Sequence, residues 1–220
     1  MRKVSFFLSA MLLAFLHSIH LKAQNPLWNF PGSGVGQSSG ITYNFNNPQQ
    51  LDSINFFDPY QKNQNAMVGP DGKLGFFIID EFVYTSAFEE IGQIMFNTHL
   101  SNHGVVPAKG YSEIAIVPDP MDCNRFYIFT SASYSQDYLP GFAVLEYNQG
   151  VPSLTNAGTS LHEFLVDPVI KDLVKPHSSG NKRPAYFAAS DVTPNNERFV
   201  YFSDGALIVK MKLSANGLEY

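Results

Sequence analysis

The stretch IVPDPMDCNRFYIFT, residues 116–130, decides how this chain is read. Two runs rich in Ile, Val, Phe and Tyr flank a short segment of Pro, Asp and Asn. Aromatic and β-branched residues favour the pleated, half-buried surface of a strand. Proline cannot extend a ladder, and Asp and Asn side chains bond nearby backbone in tight turns. The stretch therefore reads as strand, turn, strand. Ile114, Ile116, Phe126 and Ile128 are expected on one sheet face.

The same segment holds the only cysteine of the chain, Cys123. A reactive thiolate wants a nearby His, a cation or a helix N-terminus. The neighbours here are Asp122 and Asn124, so Cys123 is expected to be inert. Asp119, Asp122 and Asn124 lack the alternating oxygen spacing and the distal bidentate Glu of a calcium loop. Asp122 and Asn124 are expected to satisfy turn backbone instead.

Outward from this stretch the pattern recurs. Leu74–Ile79 and Phe82–Thr85 read as strands after the turn signal Pro70-Asp71-Gly72. Gly141–Tyr147 follows Arg125–Thr130. Ala185–Ala189, Arg198–Ser203 and Ala206–Leu213 form the last round. NRFYIFTS (124–131) aligns with ERFVYFSD (197–204) at a spacing of 73 residues. Repeated strand–turn–strand units point to radial or solenoid β architecture. Only Ser160–Lys175 has helical spacing, interrupted by Pro168, and one or two short helical turns are expected there.

The N-terminus reads as an export signal, residues 1–23. Met1-Arg2-Lys3 is basic, and Val4–Leu16 is apolar but too short to span a bilayer. Cleavage after Ala23 would start the mature chain at Gln24. Residues 24–65 are polar, with short strands such as Ile41–Phe45. Residues 66–220 carry the repeated strands. A lone cysteine excludes an intramolecular disulfide, so the exported fold must rest on packing. With net charge −5 and scattered Lys and Arg, nucleic acid is not an expected partner. Neither a metal nor a cofactor is implied, and no integral membrane span is expected in the mature chain.

Enzyme motifs are weak. His99 and His103 are four apart, but Asn, Ser and Gly around them favour a loop over a zinc-binding helix. The pairs Asp80-Glu81 and Glu89-Glu90 are adjacent, and adjacent strand residues face opposite ways. GSGVGQSSG (32–40) lacks the Lys and the helix of a phosphate loop. The remaining candidates are exposed aromatics able to stack on sugars or a partner. Trp28, Tyr134 and Tyr138 are taken as candidate ligand-binding residues, the two tyrosines in the polar loop SYSQDYLPG (133–141).

LWNF, GITYNF, AMVGPDGKLGFF, SEIAIVPDPMDCNRFYIFT and PAYFAASDVTPNNERFVYFSDG occur in this order. Together they resemble the N-terminal half of the secreted WD-type β-propeller proteins of type IX secretion bacteria. Trp28-Asn29-Phe30, Asp71-Gly72, Phe76-Phe77, Val117-Pro118 and Phe126–Thr130 carry most of the likeness, with Pro194-Asn195 and Tyr201–Ser203. Two departures stand out. Ile79-Asp80-Glu81 replaces a Thr-Asp-Gly turn, and Cys123 replaces a small or polar turn residue. The resemblance implies an all-β fold of β-propeller-like antiparallel blades.

A propeller takes roughly four to eight blades, and this length supplies about three to four. Only Leu218, Glu219 and Tyr220 follow the turn signal Asn216-Gly217, too few for a full return strand. The chain is therefore expected to be the first part of a truncated propeller. Full-length relatives carry a C-terminal sorting domain. The expected function is a non-enzymatic secreted or cell-surface module for protein or glycan binding, or adhesion. The alternative is an extracellular carbohydrate-active enzyme, which needs two acids facing across a cleft. A structural subunit of the cell envelope is a third reading.

Overall fold

The computed structural model describes residues 27–30, 38–44, 51–56, 64–68, 74–97, 104–108, 113–134, 137–173, 186–203 and 207–220. Residues 1–23, expected from the sequence to be an export signal, lie outside the described residues, as do His99, His103 and Pro70-Asp71-Gly72.

The chain is mostly antiparallel β-sheet, and its strands fall into sheets in chain order. Sheet 1 is β1 (Leu27–Phe30), β2 (Ser38–Asn44) and β3 (Leu51–Phe56). Sheet 2 is β4 (Gln64–Val68), β5 (Leu74–Ile79), β6 (Phe82–Thr85) and β7 (Glu90–Gln93). A separate hairpin follows, β8 (Met95–Asn97) and β9 (Val105–Pro107). Sheet 3 is β10 (Ala115–Pro118), β11 (Arg125–Tyr134), β12 (Asp137–Asn148) and β13 (Val151–Ser160). Sheet 4 is β14 (Tyr186–Ala189), β15 (Arg198–Ser203), β16 (Ile208–Ser214) and β17 (Gly217–Glu219). Each four-stranded sheet is a simple meander, every strand paired with the one before it.

Sheets 2, 3 and 4 stack face to face through two separate cores. Ile114, Phe126, Ile128 and Leu145 of sheet 3 and its lead-in meet Phe76, Ile78 and Val83 of sheet 2. On the opposite face, Val117, Tyr127, Phe129 and Phe142 meet Phe187, Val200, Phe202 and Met211 of sheet 4. The expected grouping of Ile114, Ile116, Phe126 and Ile128 on one face holds. Alternation explains both cores, because residues of odd and even number along β11 point to opposite sides. Burying each such large apolar side chain stabilises by about 1.5–3 kcal/mol. The rings also lock in preferred tilts, with Phe129–Phe187 at 5.6 Å and Phe187–Phe202 at 5.4 Å between centroids.

The first strands of the sheets lie side by side: β1 beside β4, β4 beside β10, and β10 beside β14. Asn65 of β4 donates its Nδ2 hydrogen to the carbonyl of Ile114, just before β10, at 2.6 Å. The starts of these two strands are thereby held together.

Connections fill the spaces left by the stack. The β8–β9 hairpin inserts Phe96 and Val106 into the first core. The Phe96 ring lies over Gly141 and Gly158, where an added Cβ would clash with it. After β13 two short helices close the second core. α1 (Leu161–Phe164) opens with a capping box, Ser160 and Glu163 each bonding the other's backbone N–H. α2 spans Pro168–Leu173. Pro168 does not break a helix here but starts one, at a position where its missing N–H has no intrahelical partner. The Asp167 carboxylate accepts from the N–H of Val169 and Ile170.

Three expectations change. The segment SYSQDYLPG is not a loop throughout, since β11 runs to Tyr134 and β12 starts at Asp137. Pro140 sits inside β12 opposite Ser131, but β13 joins only from Gly141 onward. At Pro140 the strand has one neighbour, so its missing N–H is tolerated. The Asn216-Gly217 hairpin also forms with few residues, pairing Lys212 with Glu219 and Leu213 with Leu218.

The third change is the 73-residue echo, which is off by one. Phe126 faces sheet 2, whereas its sequence counterpart Phe199 lies on the face of sheet 4 turned away from sheet 3. The turns give the true equivalence. Asp119 N–H donates to the Arg125 carbonyl, and Ser190 N–H donates to that of Phe199. Arg125 thus matches Phe199, and Tyr127 matches Tyr201. A one-residue slip exchanges the two faces of a strand.

Candidate interaction surface

The turn between β10 and β11 is a backbone device. Asp119 is buried, and its Oδ1 accepts from Met121 N–H at 2.8 Å. Asp122 Oδ1 accepts from Asn124 N–H at 2.9 Å. The two side chains that hold the turn are thus Asp119 and Asp122. Asn124 contributes its carbonyl, which accepts from Tyr147 N–H. Arg125 Nε bonds Glu146 at 2.6 Å and its guanidinium lies 3.7 Å from Asp119. The Glu146 hydrogen bond holds the Arg125 pKa above its usual value. Cys123 is exposed and free.

The acid pairs separate by environment. Asp80 and Glu81 are buried in the turn between β5 and β6, and Asp80 takes a left-handed φ of 50°. Glu89 and Glu90 are exposed at the β6–β7 turn. Among the described residues no three His, Cys, Asp or Glu side chains gather as metal ligands would. No described helix is long and apolar enough to cross a membrane.

Trp28 sits in β1 opposite Tyr43. Tyr134 pairs with Asp137, and Tyr138 with Ser133, at the closed end of the β11–β12 hairpin. The two tyrosines are therefore not cross-strand partners. The side chains of all three candidate residues lie outside the described residues.

The surface that sequence reading missed is on sheet 4. We call the face of each sheet turned toward the next sheet in chain order its forward face. The forward face of sheet 3 is buried. That of sheet 4 presents Tyr186 at 52% exposure, Tyr201 at 36% and Ile208 at 72%. The register places them as neighbours: Tyr186 opposite Ser203, Ser203 opposite Ile208, and Tyr201 opposite Lys210. Lys210 Nζ sits 3.8 Å from the centre of the Phe199 ring, which turns a cation toward an aromatic face. Lys212 beside it bonds Glu219 at 2.9 Å and lies 3.7 Å from Glu197. The hydrogen bond to Glu219 raises the Lys212 pKa, and the same bond lowers that of Glu219. The sequence signal was present as the alternation Tyr186, Ala188 and Phe199, Tyr201. Apolar alternation does not say which face finds a partner, so it did not mark this face as open.

Across the buried interface, Tyr127 occupies the place that Tyr201 occupies on the open face. The Leu218 N–H of β17 donates to the Tyr127 hydroxyl oxygen. Burial, then the charge of Asp119, raises the Tyr127 pKa. Arg198 faces the same interface at 8% exposure, and its Nε has no hydrogen-bond partner among the described residues. Burial lowers its pKa, opposed by the Asp191 carboxylate.

No family model, curated protein or solved structure matches this chain.

Proposed function

We propose that this chain is an exported, non-enzymatic interaction module of β-propeller type, acting at the cell surface by binding a protein or a glycan. The observation that carries the reading is the forward face of sheet 4. Two tyrosines, an isoleucine and an aromatic-seated lysine lie in register on a sheet whose other face is core. Tyrosine joins apolar area to a polar tip, a combination suited to protein and sugar surfaces alike. Contiguous exposed apolar area of this kind marks binding surfaces.

The propeller-type arrangement is supported by the side-by-side first strands and the face-to-face meanders. Blades of a propeller keep their first strands around an axis and stack their faces. Export rests on the basic and apolar N-terminal segment with Ala23 before Gln24.

The test has two parts. Cell fractionation with N-terminal sequencing should place the protein outside the cytoplasm with Gln24 first. Glycan arrays and surface-protein binding assays should then find a ligand whose binding Ile208→Asp abolishes while the strand signal in circular dichroism persists. Retention of residues 1–23 in the cytoplasm, or binding indifferent to Ile208→Asp, would remove the corresponding half of the reading.

A further inference from the structure

We infer that Arg198 anchors an anion site: its guanidinium, at the rim of the crevice between sheets 3 and 4, takes the oxyanion of a carboxylate- or phosphate-bearing ligand. The site is separate from the forward face of sheet 4, because Arg198 shares the opposite face with Val200 and Phe202. It holds whether or not the sheets form a propeller.

The usual order of charge pairing is inverted here. Buried charges are ordinarily paired, whereas exposed ones can leave their pairing to water. Arg125, with a side chain 37% exposed, has two carboxylates, Glu146 at 2.6 Å and Asp119 at 3.7 Å. Arg198 is only 8% exposed, yet among the described residues it has no ion pair and its Nε has no hydrogen bond. The neighbouring acids of sheet 4 are committed elsewhere. Glu197 and Glu219 lie 3.7 Å and 2.9 Å from Lys212 Nζ, on the forward face. Asp191 acts on Arg198 by charge, but it is exposed and forms no ion pair with it. A buried group left unsatisfied breaks a rule that folds otherwise keep, and such breaks gather at functional sites.

The residue is built to present the tip of its side chain. It opens β15, just after the exposed residues Pro194, Asn195 and Asn196. The backbone on each side of it is clamped. Glu197 N–H donates to Thr193 Oγ1 at 3.2 Å, and Phe199 N–H donates to Ser190 Oγ at 2.9 Å. Leu213 stands opposite Arg198 in β16 and Val200 follows it on the same face, so core residues hold the stem. Nε is sealed in that wall. Nη1 and Nη2 are not sealed with it, and they form an end-on fork of donors that fits two oxygens of a carboxylate or phosphate. A stem already fixed loses little freedom when the fork closes on a ligand.

Side-chain NMR of the purified protein tests this, with acetate and inorganic phosphate as probes and chloride at equal ionic strength as the control. The sealed Nε–H of Arg198 is shielded from exchange with water and should give a resolved resonance. That resonance should shift saturably with one probe or both, and not with chloride. A response to acetate alone marks a carboxylate ligand, and a response to phosphate alone marks a phosphate one. Thermal melts read the same binding, since a ligand of the folded state raises the melting temperature. Arg198→Met should abolish the saturable rise with the circular dichroism spectrum retained. Arg198→Lys keeps a charge without the fork and should weaken binding about tenfold, the effect of one charged hydrogen bond. Should Arg198→Met misfold, the Nε–H resonance of the unaltered protein decides. No saturable shift with either probe, or a saturable rise in melting temperature undiminished in Arg198→Met, would overturn the inference.

Discussion

The Leu218 N–H donates to the hydroxyl oxygen of Tyr127, joining the last strand of sheet 4 to the second strand of sheet 3. An edge strand has backbone groups without a ladder partner, and β17 is a three-residue edge strand. Tyr127 therefore satisfies one of its donors from the neighbouring sheet. Tyr127→Phe should lower stability by about 1 kcal/mol, the usual net worth of one such bond. Hydrogen exchange should show Leu218 released first. Unchanged exchange at Leu218 would show that the bond does not hold the hairpin.

Alkaline pH should weaken the fold through the same tyrosine. Burial raises the folded-state pKa of Tyr127, Tyr84 and Tyr147. Each raised group contributes stability that is complete below its unfolded pKa, near 10, and is lost as pH rises through the folded value. Stability should therefore decline as pH climbs past about 10, and Tyr147→Phe should shallow the decline. Equilibrium denaturation across this range checks it. A decline of the same steepness in Tyr147→Phe would count against a buried phenol there.

The Phe96 seat on two glycines should resist change in both directions. Phe96→Ala removes a fully buried ring and should cost about 3–5 kcal/mol. At Gly141 an added Cβ would stand 2.6 Å from Phe96 Cε1 and 2.5 Å from the Thr159 carbonyl oxygen. Gly141→Ala should then cost about 1–3 kcal/mol by overpacking. The double variant should lose less than the sum, since removing the ring relieves part of the clash. Strict additivity in a denaturation cycle would contradict this contact.

Charges at the β10–β11 turn should divide by burial. Glu146→Gln breaks a half-exposed pair with Arg125 and should cost no more than about 1 kcal/mol, less at high salt. Asp119→Ala removes a buried carboxylate that accepts from Met121 N–H and lies 3.7 Å from the Arg125 guanidinium, and should cost about 1–3 kcal/mol. Cys123→Ser, at an exposed position, should stay within about 0.5 kcal/mol. Thermal melts of the three variants rank them. A Cys123→Ser effect larger than that of Asp119→Ala would reverse the reading of this turn.

Arg198 is the one buried cation in the sheet 3–sheet 4 interface whose Nε has no partner among the described residues. An unsatisfied buried donor costs about 1–3 kcal/mol. Arg198→Met keeps the length of the side chain and removes the orphan, so the melting temperature should hold or rise. A clear fall would mean that its electrostatic attraction to Asp191 outweighs the burial.

Much of this architecture was legible residue by residue. Alternation and turn chemistry placed Leu74–Ile79, Phe82–Thr85 and Arg198–Ser203 where the strands are. The Asx turn before Arg125 and the two short helical turns after β13 were readable for the same reason. Local hydrogen bonds and local sterics decide such features, and both are written in a few neighbouring residues. Strand β13 escaped because VPSLTNAGTS alternates without strong apolar residues, one side of it being exposed along most of its length. The β8–β9 hairpin escaped because its three-residue strands are too short to show a period.

What the amino-acid order determined by itself was therefore strand, turn and the existence of two apolar faces per sheet. Tertiary packing alone decided which face met which. Phe126 and Phe199 look equivalent in sequence yet point to opposite sides, and Tyr127 is covered where Tyr201 is bare. A strand with apolar residues on both sides has no internal mark of direction. The neighbour that covers a face, and the backbone bond that fixes register to one residue, exist only once the sheets are stacked.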